Sequence, residues 1–203
     1  MEIEVKNEQI INADGKDSIY TVAYIEFLTI LYKYYFFRYH GFMILLQKNC
    51  NMNLSSLKPH VENILLEAQL NIDDKLTTVC ELLQSTVPYY DWVGFYFRNG
   101  DKEELKLKAF AGEPTDHTII PFGKGICGQV AVSNQNFVVP DVKAQDNYIA
   151  CSIYVKAEIV IPLFVDGVNV GQIDIDSHTA DPFSEEDVTF LEFVNKKVAE
   201  IMK

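Results

Sequence analysis

The amino-acid sequence predicts an α+β domain, in which helices at the N- and C-terminal ends flank a central antiparallel sheet. Two observations carry that expectation. Apolar residues recur at intervals of three and four over residues 57–83 and again over 191–201, while between these segments they alternate with polar ones. The alternating stretches are also joined by connections too short for parallel crossovers, so neighbouring strands pair antiparallel.

Residues 21–47, TVAYIEFLTILYKYYFFRYHGFMILLQ, are long and apolar enough to raise a membrane span. Glu26, Lys33 and Arg38 lie inside them, and each such charge costs roughly 2.5–3.5 kcal/mol near the centre of a spanning helix. A membrane role is therefore disfavoured. The other readings are an aromatic helix or strand pair packed on the domain, or a segment with little fixed structure. At Met52 the composition changes to that of an orderly soluble domain. The expected division is an aromatic extension over 1–51 and a domain over 52–203, and a chain beginning at Met52 would be self-sufficient.

Within the domain, Val61, Ile64, Leu65 and Ala68, then Leu76, Val79, Cys80 and Leu83, trace two helices or one bent helix with a break near Asn71 to Asp74. Cys80 lies on the apolar face, where a cysteine acts as a small buried hydrophobe. The period then switches to two. Trp92 to Phe97 and Leu105 to Phe110 read as a hairpin about Asn99-Gly100, a pair that supplies the positive φ angles of tight hairpin turns. FVVPDV, EIVIPLFVDG and VNVGQIDIDS read as further strands, the last two joined at Asp166-Gly167. GICGQVAVSN reads as a short helix opening on Gly125 and Gly128. The final helix starts at Ser184, an N-cap with Asp187 where a capping box usually has Glu or Gln, and buries Leu191, Val194, Val198 and Ile201.

With 48% hydrophobic and 23% charged residues the chain has the composition of a globular protein. A net charge of −12 without a local basic stripe argues against nucleic-acid binding. The cysteines at 50, 80, 127 and 151 form neither CxxC pairs nor a dense disulfide framework, and with scattered histidines they give no zinc signature. A reducing, cytoplasmic setting is expected. The first sixteen residues carry four acidic side chains and two lysines, unlike the basic start of a signal peptide.

The reactive inventory lies in residues 119–177. In Gln172-Ile173-Asp174-Ile175-Asp176 the isoleucines face one side of a strand and the aspartates the other. Such a pair is either a solvent-washed sheet face or a carboxylate pair lining a polar pocket, one member with a raised pKa that lets it donate a proton near neutral pH. Glu158, at the start of an apolar strand, either adds a third carboxylate or is a solvated cap. Cys127 sits between Gly125 and Gly128 at a helix start, where the dipole and free N–H groups favour a thiolate. Cys151 sits in the polar, aromatic loop DNYIACSIYVKAE. Singly, each is most simply a passive buried thiol. Together, in a region of glycines and loops, they read as one redox site.

The runs DWVGFY, PFGKGICGQVA, YIACSIYVKAEIVIPL, GQIDIDS and PFSEEDVTFLE resemble the GAF-fold free methionine-(R)-sulfoxide reductases, from about Leu54 to Lys203. The resemblance implies a GAF-like sheet flanked by terminal helices, with Cys151 as catalytic cysteine and Cys127 as resolving cysteine. It also implies that Glu158, Asp174 and Asp176 hold and protonate the sulfoxide, and that Trp92 meets the substrate's methyl end with Tyr96 nearby. Many members have a further cysteine ten residues before the GICG cysteine. Here that position is His117, so the chain resembles the subgroup with two redox cysteines, and His117 itself reads as structural.

The implied activity is reduction of free L-methionine (R)-sulfoxide to methionine. A thiolate attacks the sulfoxide sulfur, a carboxylic acid protonates the oxygen, and the resulting sulfenic acid condenses with a second thiol. A thioredoxin-like dithiol then reduces the disulfide. No metal, nucleotide or flavin is required, and a homodimer is compatible with this reading. The competing readings are a non-catalytic GAF module that senses a small ligand or redox state, and an interaction protein docking through its aromatic leader.

Overall fold

The computed structural model describes residues 53–145 and 154–203. The aromatic extension, the boundary at Met52 and Cys151 lie outside the described residues. Among those described, no helix is long and apolar enough to cross a membrane.

A 3-10 turn over Leu54–Leu57 leads into α1 (Lys58–Leu66), followed by α2 (Ile72–Thr86). The break falls at residues 67–71, earlier than the Asn71 to Asp74 expected and taking in Ala68, because Asn71 caps a new helix: its side chain accepts from the Asp74 N–H at 2.9 Å. Asp73 and Asp74 then sit in the first turn, where the helix dipole favours negative charge.

Six strands follow: β1 (Trp92–Arg98), β2 (Glu104–Ala111), β3 (Ile119–Pro121), β4 (Phe137–Val139), β5 (Ala157–Val165) and β6 (Val168–Ser177). They form one sheet in the order β3-β2-β1-β6-β5-β4, with every adjacent pair antiparallel. The helix α3 (Gly125–Ser133) links β3 to β4, and α4 (Glu185–Ile201) closes the domain.

Three further local expectations need correction. The β1–β2 connection is not a two-residue Asn-Gly turn. It spans residues 99–103, and of its residues only Gly100 has positive φ, at 61°. Asn99 stays out of the left-handed region and instead donates from its side chain to Glu104 Oε1 at 2.6 Å. The stretch FVVPDV is a strand only to Val139, since Pro140 offers no N–H to the ladder and a 3-10 turn follows over Val142–Ala144. The edge strand β3, three residues ending in Pro121, was not expected, because so short a segment has no readable alternation. Asp166 and Gly167, by contrast, have φ of 49° and 82° and close β5 onto β6 as a two-residue turn.

The sheet has two dissimilar faces. On one, Val93, Phe95, Ile159, Ile161, Ile173 and Ile175 are buried beneath α2 and α4, with α1 lodged against both helices. Asp187 anchors this layer. It completes the capping box with Ser184 and accepts from the hydroxyls of Tyr89 and Tyr90, both at 2.9 Å. A capping carboxylate that must also meet two tyrosines accounts for Asp at this position. The other face carries α3, packed through Ile126 and Val130 onto Tyr96, Leu105 and Ile120. The chemistry lies on that second face.

Candidate active site

Directly opposed residues in an antiparallel ladder share a face, so the register lays the site out in rows. Trp92 of β1 pairs with Asp176 of β6, and Asp176 pairs with Glu158 of β5. One row along, Gly94 pairs with Asp174, and Asp174 with Val160. The next row holds Tyr96, Gln172 and Pro162. All three candidate carboxylates therefore converge, and they are not washed by solvent: Asp174 and Asp176 are 2% exposed and Glu158 is 4% exposed.

Burying three carboxyl groups together favours their protonated forms. Burial pushes Glu158 well above the ordinary carboxylate range, and Asp174 and Asp176 push it further. Asp176 is raised in the same sense by burial, then by Asp174, then by Asp91. Burial lifts Asp174 to about 7, against the opposing effect of a hydrogen bond from the Cys127 thiol.

Cys127 is the third residue of α3 and is buried. Its backbone comes close to β3 because Gly128 leaves room: a Cβ there would lie 2.5 Å from the Pro121 carbonyl oxygen. The Gly123 N–H donates to the Gly128 carbonyl at 2.8 Å and ties the preceding turn to the helix. A small cavity of about 50 Å³ opens beside the thiol, lined by Cys127, Glu158, Asp174, His117, Ile119 and Lys124 among others.

The Trp92 indole lies down over Gly94. An ideal Cβ on Gly94 would stand 2.1 Å from its Cη2 atom, so only glycine permits this placement. Phe110 stacks on the indole with centroids 5.8 Å apart, and Nε1 donates to the Glu113 carbonyl at 3.1 Å. Tyr96 sits beside it at 6.2 Å and donates its hydroxyl hydrogen to the His117 carbonyl at 2.9 Å. His117 thus holds the aromatic wall through its backbone.

Of the residues expected at the site, Cys127, Glu158, Asp174, Asp176, Trp92 and Tyr96 fall on this one face. Cys151 lies outside the described residues. Cys80 is buried on α2, on the opposite side of the sheet, where burial and then Glu81 hold its thiol well above the ordinary range. Two further residues of this face drew no functional reading from sequence. Gln172 is fully buried in the Tyr96 row, with both side-chain amide atoms lacking partners. The alternation that groups Asp174 with Asp176 also includes Gln172, and that was the available signal. Gly94 had no comparable signal, since its role depends on the rotamer of a neighbour.

The GAF domain family model matches residues 69–202. The free methionine-R-sulfoxide reductase of Saccharomyces cerevisiae is 33% identical over 150 residues, covering 68% of this chain and 83% of that protein. The Escherichia coli enzyme of the same name is 34% identical over 125 residues, 62% of this chain and 74% of its own length. Among solved structures, the Neisseria meningitidis free methionine-R-sulfoxide reductase in complex with its substrate superimposes with a TM-score of 0.68 at 33% identity, over 73% of this chain and 87% of that one. Shared fold and sequence similarity over most of the chain place it among the free methionine-R-sulfoxide reductases, a family built on the GAF domain.

Proposed function

We propose that the chain reduces free L-methionine (R)-sulfoxide to methionine, with Cys151 as nucleophile and Cys127 as resolving thiol. The observation that carries this reading is the buried Asp174 carboxyl group. It is hydrogen-bonded by the Cys127 thiol, held protonated up to about pH 7, and set in a patch shared with Asp176 and Glu158. On this reading that carboxyl group supplies, near neutral pH, the proton that neutralises the sulfoxide oxygen. Family membership supplies the substrate class, and the Neisseria meningitidis relative is described with its substrate bound.

In the first step the Cys151 thiolate attacks the sulfoxide sulfur and the oxygen passes to the cysteine as it takes up a proton. Methionine leaves, reduced by two electrons, and Cys151 becomes a sulfenic acid. The Asp174 carboxylate then accepts the Cys127 proton as that sulfur attacks Cys151. The S–S bond forms, the S–O bond breaks, and water departs with a proton from the neighbouring carboxyl groups. A thioredoxin-like dithiol returns the disulfide to two thiols. Trp92 forms a wall for the methyl group with Tyr96 beside it, while a protonated carboxyl group of the cluster donates to the sulfoxide oxygen and an ionised one pairs with the ammonium of the free amino acid.

The test compares the two epimers of free methionine sulfoxide with N-acetylated and peptide-bound forms under one dithiol reductant. The free R epimer should react far faster than the others. A blocked amine would leave buried carboxylates unpaired, a loss of roughly 1–3 kcal/mol. Equal rates on the peptide-bound form would refute the enclosed pocket, and no release of methionine from any form would favour a sensing module.

A further inference from the structure

The Sγ of Cys127, a carboxylate oxygen of Glu158 and one of Asp174 lie within 4.8 Å of one another, and all three residues are buried. They come from α3, β5 and β6, so no local spacing motif joins them. A cluster of acidic groups alone would be no reason to expect a ligand. Here Oδ1 of Asp174 is buried without a hydrogen-bond partner, although Asp174 lines the cavity beside the thiol. The Nδ1 of His117, which lines the same cavity, is also buried and unpartnered.

We propose that this cluster is a binding site for a thiolate-accepting divalent cation of the zinc type, with Cys127, Glu158 and Asp174 as its protein ligands and a water in the fourth position. Tetrahedral zinc, with bonds of about 2.0–2.3 Å, sets its ligand atoms roughly 3.3–3.6 Å apart. The three atoms therefore need to close by about 1 Å, within reach of side-chain rotation. The cavity of about 50 Å³ leaves room for the water, which needs about 10–15 Å³ of such space. Calcium and magnesium fit poorly, since they take six or more oxygen ligands and do not favour sulfur.

Binding displaces the thiol proton and the carboxyl protons into solvent, so affinity rises with pH. A metal-bound Cys127 sulfur is not available to attack, and the cation occupies the space beside the carboxylates. Bound zinc therefore inhibits turnover reversibly. The site itself is independent of the reductase reading, and only this inhibitory consequence rests on it.

Cobalt(II) serves as the probe. The full chain, reduced with a phosphine, is titrated while the near-ultraviolet thiolate-to-cobalt charge-transfer absorbance is followed, and zinc is then added in competition. One equivalent should bind, zinc should displace it, and Cys127→Ser should abolish the band. Glu158→Gln and Asp174→Asn should weaken binding at least tenfold, and as near-isosteric changes they keep the test valid should Cys127→Ser misfold. Cys151→Ser, which on the reductase reading cannot turn over, should keep the band, so failure of one proposal is not failure of the other. Absence of a band, or an unchanged band in Cys127→Ser, would overturn the site. Binding without a chelator-reversible loss of methionine release would overturn the inhibitory consequence.

Discussion

Replacing Asp174 with Asn should stabilise the fold above neutral pH while removing activity. The folded chain holds the Asp174 proton more tightly than the unfolded chain, because its pKa rises from 3.8 to about 7 on burial. Below about pH 3.8 both states carry the proton and the site adds no penalty. As pH rises the unfolded state sheds the proton first, so stability falls through the window between the two values and levels off above about 7. Three units at about 1.4 kcal/mol each give a loss of about 4 kcal/mol. Asn has no proton to lose and still accepts from Cys127, but it buries an amide N–H₂ that costs about 1–3 kcal/mol if unpaired. The variant should therefore be less stable than the parent by about 1–3 kcal/mol near pH 4, and more stable by about 1–3 kcal/mol at pH 8. Urea denaturation of both proteins across that range measures the difference, and methionine release at pH 7 should drop by roughly 100-fold or more. A stability difference that stays flat with pH would refute the argument, whatever happened to activity.

Cys151→Ser should abolish turnover, whereas Cys127→Ser should release about one methionine per chain and then stall, because attack and resolution are separate steps. Peptide mapping after reaction without reductant should recover a Cys127–Cys151 disulfide, and a bridge to Cys80 would overturn the assignment. Gly94→Ala should displace the Trp92 indole and cost about 1–3 kcal/mol of stability through overpacking. Trp92 is the only tryptophan, so its emission reports the displacement directly, and an unchanged spectrum with an unchanged KM would count against its role as a pocket wall. A chain beginning at Met52 should fold and retain activity, since the family match and every described element lie beyond that point; loss of folding would make the aromatic extension part of the core.

Much of the fold is written in local pattern. The alternation of Ile173 and Ile175 with Asp174 and Asp176 puts apolar and acidic side chains on opposite faces wherever the strand sits, because pleating depends only on the backbone. Asp166-Gly167 closes its hairpin for an equally local reason, and the Ser184–Asp187 box starts α4. Asn99-Gly100 shows the limit of such signals, since a side-chain bond to Glu104 and a longer loop took the place of the tight turn. The short strand β3 exists through pairing with β2 rather than through any preference of its own.

The chemistry of the site was not local in this sense. Sequence placed Asp174 and Asp176 on one face but left open whether water or protein covered it, and that choice sets whether the carboxyl groups hold protons at neutral pH. The answer depends on α3 lying over the sheet and on Glu158 falling opposite Asp176 in the register. Trp92 could be read as an aromatic wall, but its position follows from the missing side chain of Gly94 beneath it. A strand's facing is fixed by its covalent geometry, which the sequence alone determines. The dielectric around a carboxylate and the space beside a ring are fixed by atoms far away in the chain, and only the tertiary structure brings them there.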